Sequence, residues 1–105
     1  MDFNLKFKDT SDKLKVYPVG ELDINSTDSF KREILMEYMK DKKDIEIDGK
    51  DFEYIDSTGL GALIYLLKEI KDDGNTISLI NIKPNIKKLF KITKLDEVFS
   101  VRGEE

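Results

Sequence analysis

Apolar and polar positions follow two different periods along this chain, and the switches between them mark its elements. Phe3, Leu5 and Phe7 alternate with polar neighbours, the signature of a half-buried strand. Asp9-Thr10-Ser11-Asp12 is turn chemistry, and a second strand runs through Leu14, Val16 and Tyr17 to Val19, so the short connection predicts a hairpin. Pro18 has no N–H to donate, which predicts an edge position, a bulge or the end of pairing there. Gly20-Glu21-Leu22-Asp23 closes the strand. Asn25-Ser26-Thr27-Asp28 offers helix caps, and Phe30, Ile34, Leu35, Tyr38 and Met39 follow at helical spacing, predicting an amphipathic helix to about Lys40.

After the polar turn Asp41-Lys42-Lys43-Asp44, Ile45 and Ile47 begin a third strand that stops near Asp48-Gly49. Phe52, Tyr54 and Ile55 fall in a loop rich in aromatic and acidic residues. A second helix carries Leu60, Leu63, Ile64, Leu67 and Ile70 on one stripe and ends around Asp73-Gly74, with Gly74 suited to a left-handed cap. Ile77, Leu79 and Ile80 form a fourth strand. Pro84 opens a short third helix through Ile86, Leu89 and Phe90, and Val98, Phe99 and Val101 add a last strand before a charged end. The order is ββαβαβαβ. Right-handed crossovers between parallel strands put helices against the sheet, so the expected fold is an α/β sandwich with a mixed, mostly parallel sheet. A length of 105 residues fits one domain over 1–105.

Composition removes several classes of function. Apolar residues make up 39 % and charged residues 38 %, the balance of a soluble globular chain, and six phenylalanines with four tyrosines argue against disorder. Without cysteine there is no disulfide or thiolate metal site; without histidine the usual general base and commonest metal ligand are gone. No cofactor is implied. A net charge of −4 with interspersed signs argues against nucleic acid. The N-terminus has neither a basic leader nor an apolar signal core, and no apolar run reaches the ~20 residues of a membrane span. The expectation is a cytoplasmic protein that is monomeric when free.

Chemistry concentrates in Asp56-Ser57-Thr58-Gly59-Leu60-Gly61, where the loop after the third strand meets the second helix. Ser57 is a natural cap there, and its side chain should be solvent-accessible because the apolar stripe begins only at Leu60. The plain reading of Ser57 is a helix cap. The glycines serve backbone geometry and allow another surface to come close. Leu60 is either an exposed apolar contact or part of the core.

This hexapeptide, Gly20-Glu21-Leu22-Asp23 before it and Lys88-Leu89-Phe90-Lys91-Ile92-Thr93-Lys94-Leu95 after it occur in an order and spacing that resemble the anti-sigma factor antagonists, the bacterial stand-alone STAS domains. The resemblance spans nearly the whole chain. It implies a protein that binds an anti-sigma factor and so frees a sigma factor. It further implies that this partner is a serine kinase using ATP, that Ser57 is its substrate, and that a PPM-type phosphatase removes the phosphate. Thr58 stands where several relatives have a second serine, and the phosphate is not assigned to it. Asp23 matches the aspartate that helps dock the kinase, although a turn or capping role ahead of the first helix explains it equally. Glu21 and Leu22 are read as structural, with the rim of the surface as the other place for Glu21, and Asp56, Thr58, Gly59, Leu60 and Gly61 complete the partner-binding face, with Glu53 adding charge.

Three rival readings share these residues. A receiver-like phosphoacceptor would use Asp56 with Lys83-Pro84, but too few elements separate them and no acidic pair follows the first strand. A non-phosphorylated STAS scaffold would keep the fold without the switch. An enzyme using Asp23 and Asp56 as acid and base lacks an activated nucleophile and a phosphate-binding loop, so no catalysis is expected.

Overall fold

The computed structural model describes residues 3–104. Met1, Asp2 and Glu105 lie outside the described residues, and with them the start of the segment read above for a leader and the last charge of the C-terminal end. Six strands and three α-helices follow in the order β1 (Asn4–Asp9), β2 (Lys13–Leu22), α1 (Thr27–Lys40), β3 (Asp44–Asp48), β4 (Phe52–Ile55), α2 (Ser57–Lys71), β5 (Ile77–Ile82), α3 (Pro84–Ile92) and β6 (Ser100–Gly103). A short 3-10 turn, Leu95–Glu97, precedes β6.

The sheet runs β1-β2-β3-β5-β6, and β4 lies beside the far end of β2. Among the described residues only the β1–β2 hairpin is antiparallel; β2–β3, β2–β4, β3–β5 and β5–β6 are all parallel. The mixed, mostly parallel α/β sheet is the one the hydrophobic periods predict. β2 organises it because, at ten residues, it is twice as long as β3. Its first half pairs with β3 from Lys13 to Val16, and its last three residues pair with β4. Pro18 sits in the gap between these two ladders while remaining opposite Leu5 of β1. Its missing donor therefore falls where parallel pairing is interrupted.

β4 corrects the expected element order, since Phe52 to Ile55 was read as loop. Gly20 pairs with Phe52 but Glu21 pairs with Tyr54, so Glu53 is an extra residue and the ladder bulges there. The bulge resets the phase of the strand. Phe52 and Ile55 both face the core, giving an inward-out-out-inward pattern that a period of two does not detect. Gly20, at φ +102°, makes the matching bend on β2, a conformation side chains with a Cβ rarely adopt.

Strand alternation separates the two faces. Leu14, Val16 and Leu22 of β2 are buried, as are Ile45 and Ile47 of β3 and Ile77 and Leu79 of β5. These join Phe30, Ile34 and Tyr38 of α1, Leu60, Leu63, Leu66 and Ile70 of α2, and Ile86 and Phe90 of α3 in one cluster. The opposite face holds Lys13, Lys15 and Glu46, whose carboxylate is 2.9 Å from the Lys13 ammonium and 3.6 Å from that of Lys15. On α1 the expected stripe narrows to Phe30, Ile34 and Tyr38, since Met39 is exposed and Leu35 only half-buried. On α2 the stripe includes Leu66, while Ile64 and Leu67 are half-buried. Gly74, at φ +82°, caps the end of α2 and donates its N–H to the Lys71 carbonyl at 2.9 Å.

One polar knot ties the helices together. The buried Tyr38 hydroxyl donates to Asp73 Oδ2 at 2.8 Å and accepts from Asn75 Nδ2 at 2.8 Å, joining the last turn of α1 to the α2–β5 connection. Burial, ahead of the Asp73 carboxylate, pushes its ionisation above the usual tyrosine range. Tyr38→Phe leaves Asn75 and Asp73 without this partner while keeping the ring. Equilibrium denaturant unfolding should show a loss of about 1–2 kcal/mol; an unchanged midpoint would count against the knot.

Candidate functional site

β2 and β4 run parallel and finish side by side, with Leu22 opposite Ile55. Asp23 and Asp56 follow directly, so both stand outside the carboxyl ends of neighbouring strands, the usual place for a binding site in an open α/β sheet. The Asp56 N–H donates to the Leu22 carbonyl at 3.3 Å, holding the two strand ends together.

The helix cap is Asp56, not Ser57. Asp56 is extended (φ −113°, ψ −172°), and its Oδ1 accepts the N–H groups of Thr58 and Gly59 at 3.0 Å each. The Thr58 hydroxyl donates to the same oxygen at 2.6 Å. These bonds, the Thr58 hydroxyl foremost and the two amides after it, hold the Asp56 carboxyl below the usual range against its partial burial. A carboxylate reaches the second and third helical amides as well as a serine hydroxyl does and adds a charge the helix N-terminus favours. Ser57 is thereby moved to the first helical residue. It is exposed, and its hydroxyl makes no hydrogen bond with the described residues.

The two glycines do different work. Gly59 is buried, and a Cβ there would lie 2.6 Å from Ile55 Cγ1 and 2.8 Å from the Leu22 carbonyl oxygen. Its absence lets the first turn of α2 press against the ends of β2 and β4. A Cβ on Gly61 would meet nothing within 4 Å, and the residue is exposed. Leu60 is only 6 % exposed, so it belongs to the core. One turn beyond Gly61, the half-exposed Tyr65 lies under the Lys31 ammonium at 5.0 Å from the ring centroid. Ser57, Gly61 and Tyr65 are four residues apart and form one outward stripe. The i, i+4, i+8 spacing is the signal in the sequence that extends the site from Gly61 to Tyr65.

Asp23 works in a turn. Its Oδ1 accepts the Asn25 N–H at 2.9 Å, and its carbonyl accepts those of Ser26 and Thr27. Ser26, buried at 6 %, is the N-cap position of α1 but does not bond the helix with its side chain. Its hydroxyl instead donates to the Glu21 carbonyl and accepts the Asp23 N–H, both at 3.0 Å. Glu21 and Asp23 line an open cleft of about 460 Å³ with Ser26 and Ser29. Ile24, 72 % exposed, and the half-exposed Tyr54 add apolar surface that sequence reading did not assign. Glu53 is drawn toward the start of α3, 3.9 Å from the Lys83 ammonium. That ammonium donates to the Lys50 carbonyl, so Lys83 is engaged away from Asp56.

Six strands in one mostly parallel sheet with three helices match the STAS fold. The chain belongs to the STAS domain family, whose model matches residues 4–105. It is similar to the anti-sigma-B factor antagonist of Bacillus subtilis, with 32 % identity over 104 residues covering 99 % of this chain and 94 % of the relative. The anti-sigma-B factor antagonist of Staphylococcus aureus is 30 % identical over 105 residues, covering 96 % and 94 %. Among solved structures, the anti-sigma factor antagonist SpoIIAA in its unphosphorylated form aligns with a TM-score of 0.78 at 20 % identity, covering 95 % of this chain and 87 % of that one. An anti-sigma factor antagonist of Mycobacterium paratuberculosis aligns at 0.84 with 18 % identity, covering 96 % and 86 %. These two show the shared fold. No helix among the described residues is long and apolar enough to cross a membrane.

The glycines should separate in a stability series. Gly59→Ala forces a shift of backbone and Ile55, and thermal unfolding should show a loss of about 1–3 kcal/mol. Gly61→Ala fills open space and should stabilise the helix by about 0.5–1 kcal/mol; equal effects would refute the division. The cap makes a second prediction. Because folding lowers the Asp56 pKa, its charged-state stabilisation is present above the unfolded value and is lost as pH falls through the folded one. Asp56→Ala should cost about 1 kcal/mol at neutral pH, and the gap to the unaltered chain should close as pH drops below about 4. A gap independent of pH would exclude the charged cap.

Proposed function

We propose that this chain is an anti-sigma factor antagonist whose control point is Ser57. With Ser57 unmodified, the exposed start of α2 and the adjoining turn, comprising Asp23, Asp56, Ser57, Thr58 and Gly61 with Glu21 at the rim, bind an anti-sigma factor and free its sigma factor. That partner is also a serine kinase. The Ser57 Oγ attacks the γ-phosphorus of the partner's ATP, ADP leaves, and the hydroxyl proton passes to a base on the partner, because this chain has no histidine to accept it. A PPM-type phosphatase hydrolyses the phosphoserine and resets the switch. The chain is the substrate of this chemistry, performs none of its own, and acts in the cytoplasm.

The observation that carries the reading is the free hydroxyl of Ser57 at the first position of α2, released from capping by Asp56. Support also comes from relatives bearing the antagonist name along nearly their whole length, and from a structural neighbour, SpoIIAA, solved in a phosphorylated form. The electrostatics agree. A phosphate adds about −1.5 to −2 charges. The positive end of the helix dipole accommodates it locally, so the fold survives. Asp23 and Asp56 already make the facing surface acidic, so the added charge repels an acidic or desolvating partner patch. A penalty of a few kcal/mol lowers affinity by a factor of hundreds.

The open space at Gly61 fits the same reading, since it leaves room for a partner backbone to lie close to the helix. The test is to incubate the chain with each cognate candidate kinase and ATP, map the modified residue, and measure partner binding for three forms. Phosphate should appear on Ser57; Ser57→Ala should bind and resist modification; Ser57→Asp should bind roughly a hundredfold more weakly. Phosphate elsewhere, or equal binding by the alanine and aspartate forms, would leave a scaffold. A phosphate labile to hydroxylamine would point to an aspartyl acceptor.

A further inference from the structure

A groove opens toward the opposite end of α2 from Ser57, with a volume of about 180 Å³. Ile64 and Leu67 form one wall and Leu95 and Val98 the other, while Lys68 and Lys71 stand on the helix side. Its floor is firm. Phe99 is 2 % exposed and meets Phe90 edge-on, with ring centroids 5.8 Å apart at 83°. Val98, by contrast, is 58 % exposed and extends the apolar surface at the groove's edge. Ile64, Leu67, Lys68 and Lys71 fall at i, i+3, i+4 and i+7, so one helix face supplies both apolar wall and cationic rim.

Three features limit what can sit there. The volume is below the ~300–1,000 Å³ of a drug-sized ligand or cofactor site, and suits one or two inserted side chains. The surface is concave, whereas a lipid surface is met by protruding apolar residues. The rim is cationic: among the described residues neither Lys68 nor Lys71 is within ion-pair distance of a carboxylate, a state shared with exposed lysines such as Lys87, Lys88 and Lys91, and what sets the pair apart is its place beside an apolar groove. Asp96 and Glu97 lie between Leu95 and Val98 in the chain but do not line the groove. Unpaired lysines over an apolar floor select an anionic partner with apolar anchors.

We propose that this groove seats an acidic amphipathic segment of a partner protein. One or two of its apolar side chains enter between Leu67 and Val98, and its carboxylates pair with Lys68 and Lys71. A helical rise of about 1.5 Å per residue places Lys68 about 16 Å along α2 from Ser57. The surface is therefore separate from the switch and does not depend on its state.

The probe is a fluorescent helical peptide of about four turns, with leucines on one face flanked by glutamates. It should bind the unaltered chain, more weakly as salt is raised, and perturb the backbone NMR signals of Ile64, Leu67, Lys68, Lys71 and Val98. Lys68→Glu with Lys71→Glu, and separately Val98→Asp, should weaken binding roughly tenfold or more, with circular dichroism showing both variants folded. Ser57→Asp should bind the peptide as tightly as the unaltered chain, which keeps this result independent of the switch. The proposal is overturned if the peptide does not bind or perturbs signals elsewhere, or if a peptide with lysines in place of the glutamates binds equally. Signals of the groove that respond instead to phosphatidylglycerol vesicles or to rising protein concentration would assign the face to a membrane or to a second copy, and would overturn it too.

Discussion

The docking of one helical turn on two strand ends is the constraint from which the rest of the site follows. Asp56 binds back to the Leu22 carbonyl through its N–H and forward to the Thr58 and Gly59 amides through its carboxylate. Gly59 supplies the clearance, since any Cβ would stand inside contact distance of Leu22 and Ile55. Neither part suffices alone. Without the cap the first amides of α2 would be unsatisfied against a partly buried surface; without the glycine the turn could not approach the sheet. Together they fix where Ser57 points without using Ser57 for anything.

That division of labour is what makes a modifiable residue compatible with a stable domain. A serine that caps its own helix must exchange its hydroxyl's bonds for those of the phosphate when phosphorylated, and fold and switch are then coupled. Here a neighbouring carboxylate holds the helix start, the serine projects from an already completed turn, and the positive end of the helix tolerates the new charge. The buried serine of the region, Ser26, is the one committed to structure: its hydroxyl ties the Glu21 carbonyl to the Asp23 N–H. Asp23 is thus held in a defined turn, with its side chain at the edge of the same surface.

Much of this was legible in the sequence, and the exceptions share physical causes. Long periodic segments such as β2, α1 and α2 read correctly because burial imposes one period on many residues. β4 did not, because its bulge at Glu53 breaks the period of two within a strand only four residues long. Ser57 was read as the cap because serine and aspartate have nearly equal capping propensity, and only geometry tells which of two adjacent residues takes the role. Gly59 and Gly61 are identical letters two positions apart. What separates them is the Leu22 carbonyl 2.8 Å from one, a contact set by tertiary packing. Glu53 was grouped with the acidic face, but Lys83, thirty positions on and brought close by the β5–α3 junction, draws it elsewhere.

α2 has one more property that matters for a switch: it is a single rigid element with different surfaces at its two ends. Its 15 residues span about 22 Å, from the anionic turn around Asp56 to the lysines at 68 and 71. Charges of opposite sign at the two ends offset the helix dipole favourably, acid at the start and base in the last turn. The arrangement that stabilises the helix therefore also gives the chain two electrostatically distinct contact surfaces.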